Sequence, residues 1–320
     1  MKTFIAAAVA GAATATRFDM MLSMKFMEYV STHNKSYLTT EEFEARKALF
    51  ATIDAEINEH NATDSLYEMG HNKFSDWTEH EKNRMKGHKV NPNAEVLDLE
   101  LDENAATPES FDWRDHNAVT AVKDQGSCGS CWTFSATGAL EGAHAIKSGK
   151  LETFSEQVIV DCEKRDDGCD GGDEVDGMSF FEKHYIMTEK AYPYTGKDGK
   201  CKYDADKATQ IKTTSTHGGG RDRPNSMKAA LSQHGPMTVA IEADIMHYKK
   251  GIFDSKRCGC QMDHAVLLVG YGEENGTEYW IVKNSWAADW GEDGYIRFAV
   301  EKGRGVCCVQ DYPHYPEINM

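Results

Sequence analysis

The stretch Gln125-Gly126-Ser127-Cys128-Gly129-Ser130-Cys131-Trp132 decides how the rest of this chain is read. Beyond it, Trp132, Ala136, Ala139, Leu140, Ala143 and Ile146 recur at helical spacing, with Ser130 at the N-cap position and Gly149 where a helix stops. Cys131 then lies in the first turn of a helix over 132–146. The macrodipole and the unpaired N–H groups there favour thiolate, the form that attacks carbon. Gly126 and Gly129 let backbone approach closely and leave Gln125 to donate its side-chain amide toward a developing oxyanion. The same eight residues also read as a structural cysteine, or as a Cys-x-x-Cys redox pair of Cys128 with Cys131.

Far downstream stand Asp263-His264-Ala265-Val266 and Asn284-Ser285-Trp286. Between them, Asn275-Gly276 is a hairpin signal flanked by two β-rich runs. If those runs pair around it, His264 enters the first strand and Asn284 leaves the second, so both lie at the open end of one ladder. His264 can then reach Cys131 while Asn284 accepts from the other ring nitrogen and fixes the tautomer. Cys-Gly-Ser-Cys-Trp with a later His and then Asn, in that order and at that distance, resembles the papain family of cysteine proteases, nearest the cathepsin L type. The resemblance spans nearly the whole chain.

It implies an α+β class, a papain-like two-subdomain fold with a helical left half and an antiparallel, barrel-like right half, preceded by a helical propeptide. The implied divisions are a signal peptide at 1–15, an inhibitory propeptide at 16–106 and a peptidase domain at 107–320. The implied catalytic residues are Cys131, His264, Asn284 and Gln125. Substrate would lie along Gly171 and Gly172, with Asp263 beside His264 and Trp286 shielding the Asn–His bond. Family positions pair Cys128 with Cys169, Cys162 with Cys201 and Cys258 with Cys307, which consumes Cys128 and removes the redox reading. Cys308 stands where a glycine usually follows, and Cys260 lies two residues from Cys258, so a fourth bridge, Cys260 with Cys308, is expected. The alternative for those four cysteines is a zinc site, but disulfides fit a secreted chain better, so no metal and no cofactor are expected.

Composition is consistent with this. The 320 residues carry a net charge of −17, which argues against nucleic acid as a partner. No apolar run is long enough to span a bilayer. Lys2, the apolar run from Phe4 to Ala13 and Ala13-Thr14-Ala15 read as a secretory signal peptide with a small-residue cleavage site. The expected location is therefore the secretory pathway, ending in a lysosome, an acidic vacuole or outside the cell. Asn34, Asn61 and Asn275 begin Asn-x-Ser/Thr acceptor sites.

From Phe18 to Asn61 the pattern is helical, with a Thr39/Glu42 capping box and a stripe of Phe43, Phe50, Ile53 and Ile57. Glu42, Arg46, Phe50, Ile57 and Asn61 fall at the spacings of the propeptide motif of cathepsin L-type zymogens, with Ile53 where Asn is usual. Gly70-His71-Asn72-Lys73-Phe74-Ser75-Asp76 matches the second motif of that propeptide. Residues 86–106 are polar and aperiodic, the composition of an extended, cleavable linker. In the family such a linker runs through the cleft against the substrate direction. Paired carboxylates in this segment, Asp76 among them, make acid the expected trigger of its release.

After Phe111-Asp112-Trp113-Arg114, helices are expected up to about Thr209, then strands at Met237–Ile241, Ala265–Tyr271, Tyr279–Lys283 and Tyr295–Val300. The second subsite, by position, has Asp173, Glu174, Ala240, Met262 and Ala265 as walls and Tyr312 as floor. Two carboxylates at a half-exposed rim would let it take Arg or Lys besides apolar residues. The expected partners are polypeptide substrates, the chain's own propeptide as an intramolecular inhibitor and cystatin-like inhibitors, with the protein a monomer. The leading function is a zymogen of a cysteine endopeptidase. An exopeptidase of the same fold and a catalytically silent binding protein are the alternatives; neither a cleft-blocking insertion between Gly172 and Cys201 nor a replaced site residue speaks for them.

Overall fold

The computed structural model describes residues 19–98, 106–218 and 223–319. The signal-peptide reading falls outside the described residues. Residues 19–32 form α1, followed by α2 (Thr40–Asn61), β1 (Tyr67–Met69), α3 (Glu79–Asn83), β2 (Leu97–Asp98) and β3 (Phe111–Asp112). Next come α4 (Cys131–Ser148), α5 (Glu156–Cys162), α6 (Glu174–Lys183), β4 (Thr213–Gly218) and α7 (Pro224–His234). The remainder is strand: β5 (Met237–Ile241), β6 (Tyr248–Phe253), β7 (His264–Glu274), β8 (Thr277–Lys283), β9 (Tyr295–Ala299) and β10 (His314–Ile318).

The strands join in one path, β1-β6-β9-β8-β7-β5-β10-β4-β2, with β3 added on β7. Most neighbours are antiparallel; β6 with β9 and β2 with β4 are parallel. The expected barrel-like half is thus an open path among the described residues, whose two ends, β1 and β2, come from the N-terminal segment.

Strand β7 separates two cores. Its Val266 and Leu268 join Val239, Trp280, Val282 and Phe298 on one side. Ala265, Leu267 and Val269 join Trp132, Leu140, Val158 and Phe181 of the helical half on the other. The alternation is the period of two of a strand buried on both faces. Small residues at Ala240 and Ala265 let α4 pack onto the sheet, which sets the start of that helix against the start of β7.

The N-terminal segment has a third, smaller core of Phe26, Tyr29 and Phe50. Of the expected stripe, Phe50, Ile53 and Ile57 are buried and Phe43 packs on that core. Thr39 does accept from the Glu42 N–H, but Glu42 turns back to the Leu38 N–H instead of Thr39, so the box is only half made. The reciprocal box is at Thr78 and Glu81. Arg46 then ties α2 to α3 through Glu81.

Candidate active site

Cys131 is the first residue of α4, and Gly149 ends that helix in the left-handed conformation at φ 72°. Ser130 occupies the N-cap position without capping; its hydroxyl bonds Tyr194 instead, at 2.6 Å. The Tyr194 hydroxyl also lies 2.8 Å from the Gln125 carbonyl oxygen, so this tyrosine fixes the loop before the helix.

The hairpin behaves as its sequence requires. Glu274 pairs with Thr277 around Asn275 and Gly276, whose φ angles of 53° and 81° are those of a two-residue primed turn. His264 opens β7 and Asn284 directly follows β8, at the same end of the ladder. His264 Nε2 lies 2.9 Å from Asn284 Oδ1. The other ring nitrogen, Nδ1, has no hydrogen-bond partner. The Ala265 N–H donates to Cys131 Sγ at 3.5 Å, which brings the residue after the histidine onto the sulfur. Trp286 stacks on the His264 ring at 4.7 Å between centroids.

Gln125 is held from both ends. Its Oε1 accepts from the Ser285 hydroxyl, and its Nε2 donates to the carbonyls of Cys128 and Met85. The Met85 carbonyl belongs to the N-terminal segment, so the amide already binds a peptide oxygen.

That segment covers the whole site. Phe74 sits edge-on against Trp286 at 5.3 Å, and Asn72 donates to the Met246 carbonyl. Gly87 carbonyl accepts from the Gly172 N–H at 2.8 Å, and the Gly172 carbonyl accepts from the Lys89 N–H at 2.9 Å. The pairing centred on His88 and Gly172 is parallel. A Cβ on Gly87 would lie 1.8 Å from the Gly129 carbonyl oxygen, so only glycine lets the segment pass this close to the cysteine loop.

Sealed in this way, Cys131 and His264 are fully buried. Burial pushes the thiol up to about 12 and the imidazole down to about 4, so the pair is neutral here. The thiolate expected from the helix N-terminus is therefore not the state under the covering segment: desolvation outweighs the dipole.

Asp173 and Glu174 also depart from expectation. They are not at a half-exposed rim but completely buried. Asp173 caps α6 through the Val175 N–H and takes further bonds from the Asn91 N–H and the Tyr312 hydroxyl. Glu174 pairs with His88. Ala240, Ala265 and Tyr312 belong to one buried cluster on which Met262 packs. Gly171, at φ 113°, approaches Gly87, and the Asp263 carboxylate takes the Ala243 N–H and Lys86.

The structure joins Cys128 to Cys169, Cys162 to Cys201, Cys258 to Cys307 and Cys260 to Cys308. Cys131 is the free cysteine among the described residues. Neighbouring Cys307 and Cys308 would face apart in an extended chain. Both are left-handed, at φ 52° and 65°, which turns the two sulfurs toward the same loop.

Residues 107–317 match the family described as papain family cysteine protease, and residues 26–81 match the cathepsin propeptide inhibitor domain. The chain belongs to the papain family. Pro-cathepsin H of Bos taurus is 42% identical over 301 residues, 91% of this chain and 89% of that protein. A cathepsin L-like proteinase of Phaedon cochleariae is 37% identical over 299 residues, 90% of this chain and 92% of that protein. Digestive procathepsin L2 proteinase of the Tenebrio molitor larval midgut superposes with a TM-score of 0.88 at 32% identity, covering 92% of this chain and 99% of that one. The protein is thus a papain-family cysteine protease zymogen carrying its own propeptide inhibitor domain.

Sequence reasoning missed several residues of this papain-family site. Ser285 fixes Gln125, Tyr194 fixes the cysteine loop, and Met85, Gly87 and His88 fill the cleft. Each acts through a contact between segments far apart in the chain, for which no local pattern exists. Only the polar, aperiodic composition of 86–106 hinted at an extended strap.

Proposed function

We propose that this zymogen matures to a cysteine endopeptidase in which Cys131, His264, Asn284 and Gln125 carry the chemistry. The observation that supports this most is His264 held by Asn284 through Nε2, with Nδ1 left unpartnered and Cys131 Sγ bonded by the next residue's N–H. Cys131 passes its proton to His264 and the sulfur attacks the peptide carbonyl carbon. The Gln125 amide and the Cys131 N–H stabilise the oxyanion. His264 gives the proton to the departing amine, leaving a thioester. His264 then takes a proton from water, whose oxygen releases the acid and regenerates the thiol. In this reading Gly171 and Gly172 align the substrate backbone, and Asp173, Glu174, Ala240, Met262, Asp263, Ala265 and Tyr312 shape the adjoining subsite. Trp286 keeps water off the Asn284–His264 bond.

The reading includes processing near Thr107, a signal peptide at 1–15, a propeptide at 16–106 and a monomeric enzyme at 107–320 that works in a secretory-pathway compartment and binds cystatin-like inhibitors. Endopeptidase is favoured over exopeptidase by the cysteine positions. All nine lie at residue 128 or beyond, so a cleaved piece of propeptide has no thiol with which to stay tethered in the cleft. The test is acidification of the full chain. Loss of the segment before Thr107, labelling of Cys131 by an epoxide-type thiol inhibitor and cleavage of an internally quenched peptide blocked at both termini are expected. Turnover of only free-amine substrates overturns the endopeptidase reading, and failure to label Cys131 overturns the catalytic assignment.

A further inference from the structure

Among the propeptide side chains buried against the enzyme, His88 is the one paired with a buried enzyme carboxylate. Its backbone takes the place opposite Gly172, with the His88 N–H donating to the Asp263 carbonyl at 3.0 Å. Its Nδ1 lies 2.8 Å from Glu174 Oε2, and neither side chain has any exposed surface. The Tyr312 ring meets the imidazole edge-on at 5.5 Å. Asp173 is next to Glu174 in sequence and equally buried, but its oxygens are taken by Val175, Asn91 and Tyr312. Glu174 is differently placed. Its Oε1 has no hydrogen-bond partner, and His88 is its one side-chain hydrogen-bond partner among the described residues. His314 is the other base near it.

A buried carboxylate that loses its hydrogen-bonded base is left poorly compensated even with His314 near it, because charge in a low-dielectric pocket is costly. Removal of the propeptide takes His88 away and leaves Glu174 facing an emptied pocket. A basic substrate side chain restores the pair, whereas Leu or Phe covers the carboxylate without neutralising it. Sites built to pair a polar group discriminate most strongly against ligands that lack the partner. A parallel strap and an antiparallel substrate both set one side chain opposite Gly172, and Gly87, the neighbour of His88, is the residue packed against the Gly129 carbonyl of the cysteine loop. The residue opposite Gly172 in a substrate is therefore one removed from the residue that is cut.

We propose that the released enzyme selects a cationic side chain, His⁺, Lys or Arg, at the residue preceding the cleaved one, with Glu174 as its counter-ion and His88 as the propeptide's built-in mimic of it. This rests on the peptidase reading above. It goes beyond tolerance of bases at a rim, since the carboxylate is inside the pocket and is already paired with a base.

The test uses full chain activated by acid, active sites counted by thiol-inhibitor titration, and end-blocked fluorogenic peptides that differ only at that residue. The best of the His, Lys and Arg peptides is expected to exceed the Leu peptide in kcat/KM by about tenfold. In Glu174→Gln that ratio falls toward one, read within the variant so that its absolute activity does not matter. If Glu174→Gln does not mature, the wild-type ratio alone decides, together with its fall as pH is lowered far enough to protonate carboxylates. A wild-type enzyme that cuts the Leu peptide as well as any cationic one overturns the proposal while leaving the peptidase reading intact. So does a cationic preference that Glu174→Gln leaves unchanged. An activated chain that cuts none of the peptides and takes no label at Cys131 overturns the peptidase reading itself.

Discussion

The propeptide grips the enzyme with two regions that give way to acid at different pH. The helical body, α1 to α3, docks through Phe74 on Trp286, Asn72 on Met246 and β1 on β6. His247 lies at that contact, and His71 lies inside the body, stacked on Phe50 and paired with Asp54; burial pushes both imidazoles down, His247 to about 3. A buried neutral histidine contributes stability that is present above its unfolded value of 6.5 and is lost as pH falls toward the folded one. Glu81, held down to about 2 by Arg46, follows with a contribution lost between 4.5 and about 2. The strap behaves otherwise. Glu174 holds the His88 imidazole above 6.5, so that contribution is full below 6.5 and fades only as pH rises through the folded value. Glu174 itself is lowered, so its share survives until pH falls below 4.5 and through its folded value. Asp173, pushed up to about 7 by burial beside Glu174, adds to the acid-side hold. The body loosens first on acidification and the strap last, which keeps the thiol covered until the enzyme is in acid. The groups that carry an acid trigger in the body are thus Glu81 and the buried histidines.

The largest effect that sharpens this comparison is on the thiol under the strap. Burial pushes the Cys131 thiol of the intact zymogen up to about 12, so it is protonated at pH 7. Alkylation by iodoacetamide is expected to be at least ~1000-fold slower before processing than after. Equal rates would show that the strap does not seal the site.

Next in size is Phe74→Ala, which removes a fully buried ring from the contact with Trp286. A loss of ~3 kcal/mol corresponds to about 100-fold weaker docking of the body. Native-state proteolysis at neutral pH should then cut the body free while the strap still protects Cys131 from alkylation. Simultaneous loss of both protections would mean that the two regions are one cooperative unit.

Histidine variants should shift the acid midpoint of propeptide release in opposite senses. His247→Leu removes a ring that must be neutral to stay buried, and the midpoint is expected to fall by about half to one pH unit. His88→Leu removes the strap's acid-stable pair, and release should begin at higher pH. The midpoint is read from processing time courses across a pH series, and shifts of the same sign would break the contrast.

The smallest effect is expected at Lys73→Ala. The Lys73–Asp124 pair at the edge of the body is partly exposed. Its loss should cost under about 1 kcal/mol and disappear at high salt.

Much of this was readable in the chain. Cys131 at a helix start, the Asn275-Gly276 turn and the two runs beside it were local patterns, and the strands at 237–241, 264–274, 277–283 and 295–299 follow from them closely. Strands β4, β6 and β10 were not read, because Thr-rich 213–218, the Lys-Lys-Gly interruption at 249–251 and Pro316 blur the alternation that marks a strand. Helix α7 was missed for a related reason: Ser226, Lys228 and two alanines share its buried face with Met227 and Leu231, which shortens the apolar stripe.

By itself, the sequence determined which residues could do chemistry and how they are ordered: a cysteine with helix-forming residues behind it, a hairpin bringing His264 and Asn284 to one end, and two propeptide motifs ahead. These are short-range consequences of spacing and turn chemistry, and short-range rules act on the chain alone. Only the tertiary structure decided the protonation of Cys131 and His264, the burial of Asp173 and Glu174, and the pairing of Glu174 with His88, 86 residues away. Charge states depend on how much water is excluded and on which opposite charge is near. Both are set by segments distant in sequence closing over one another.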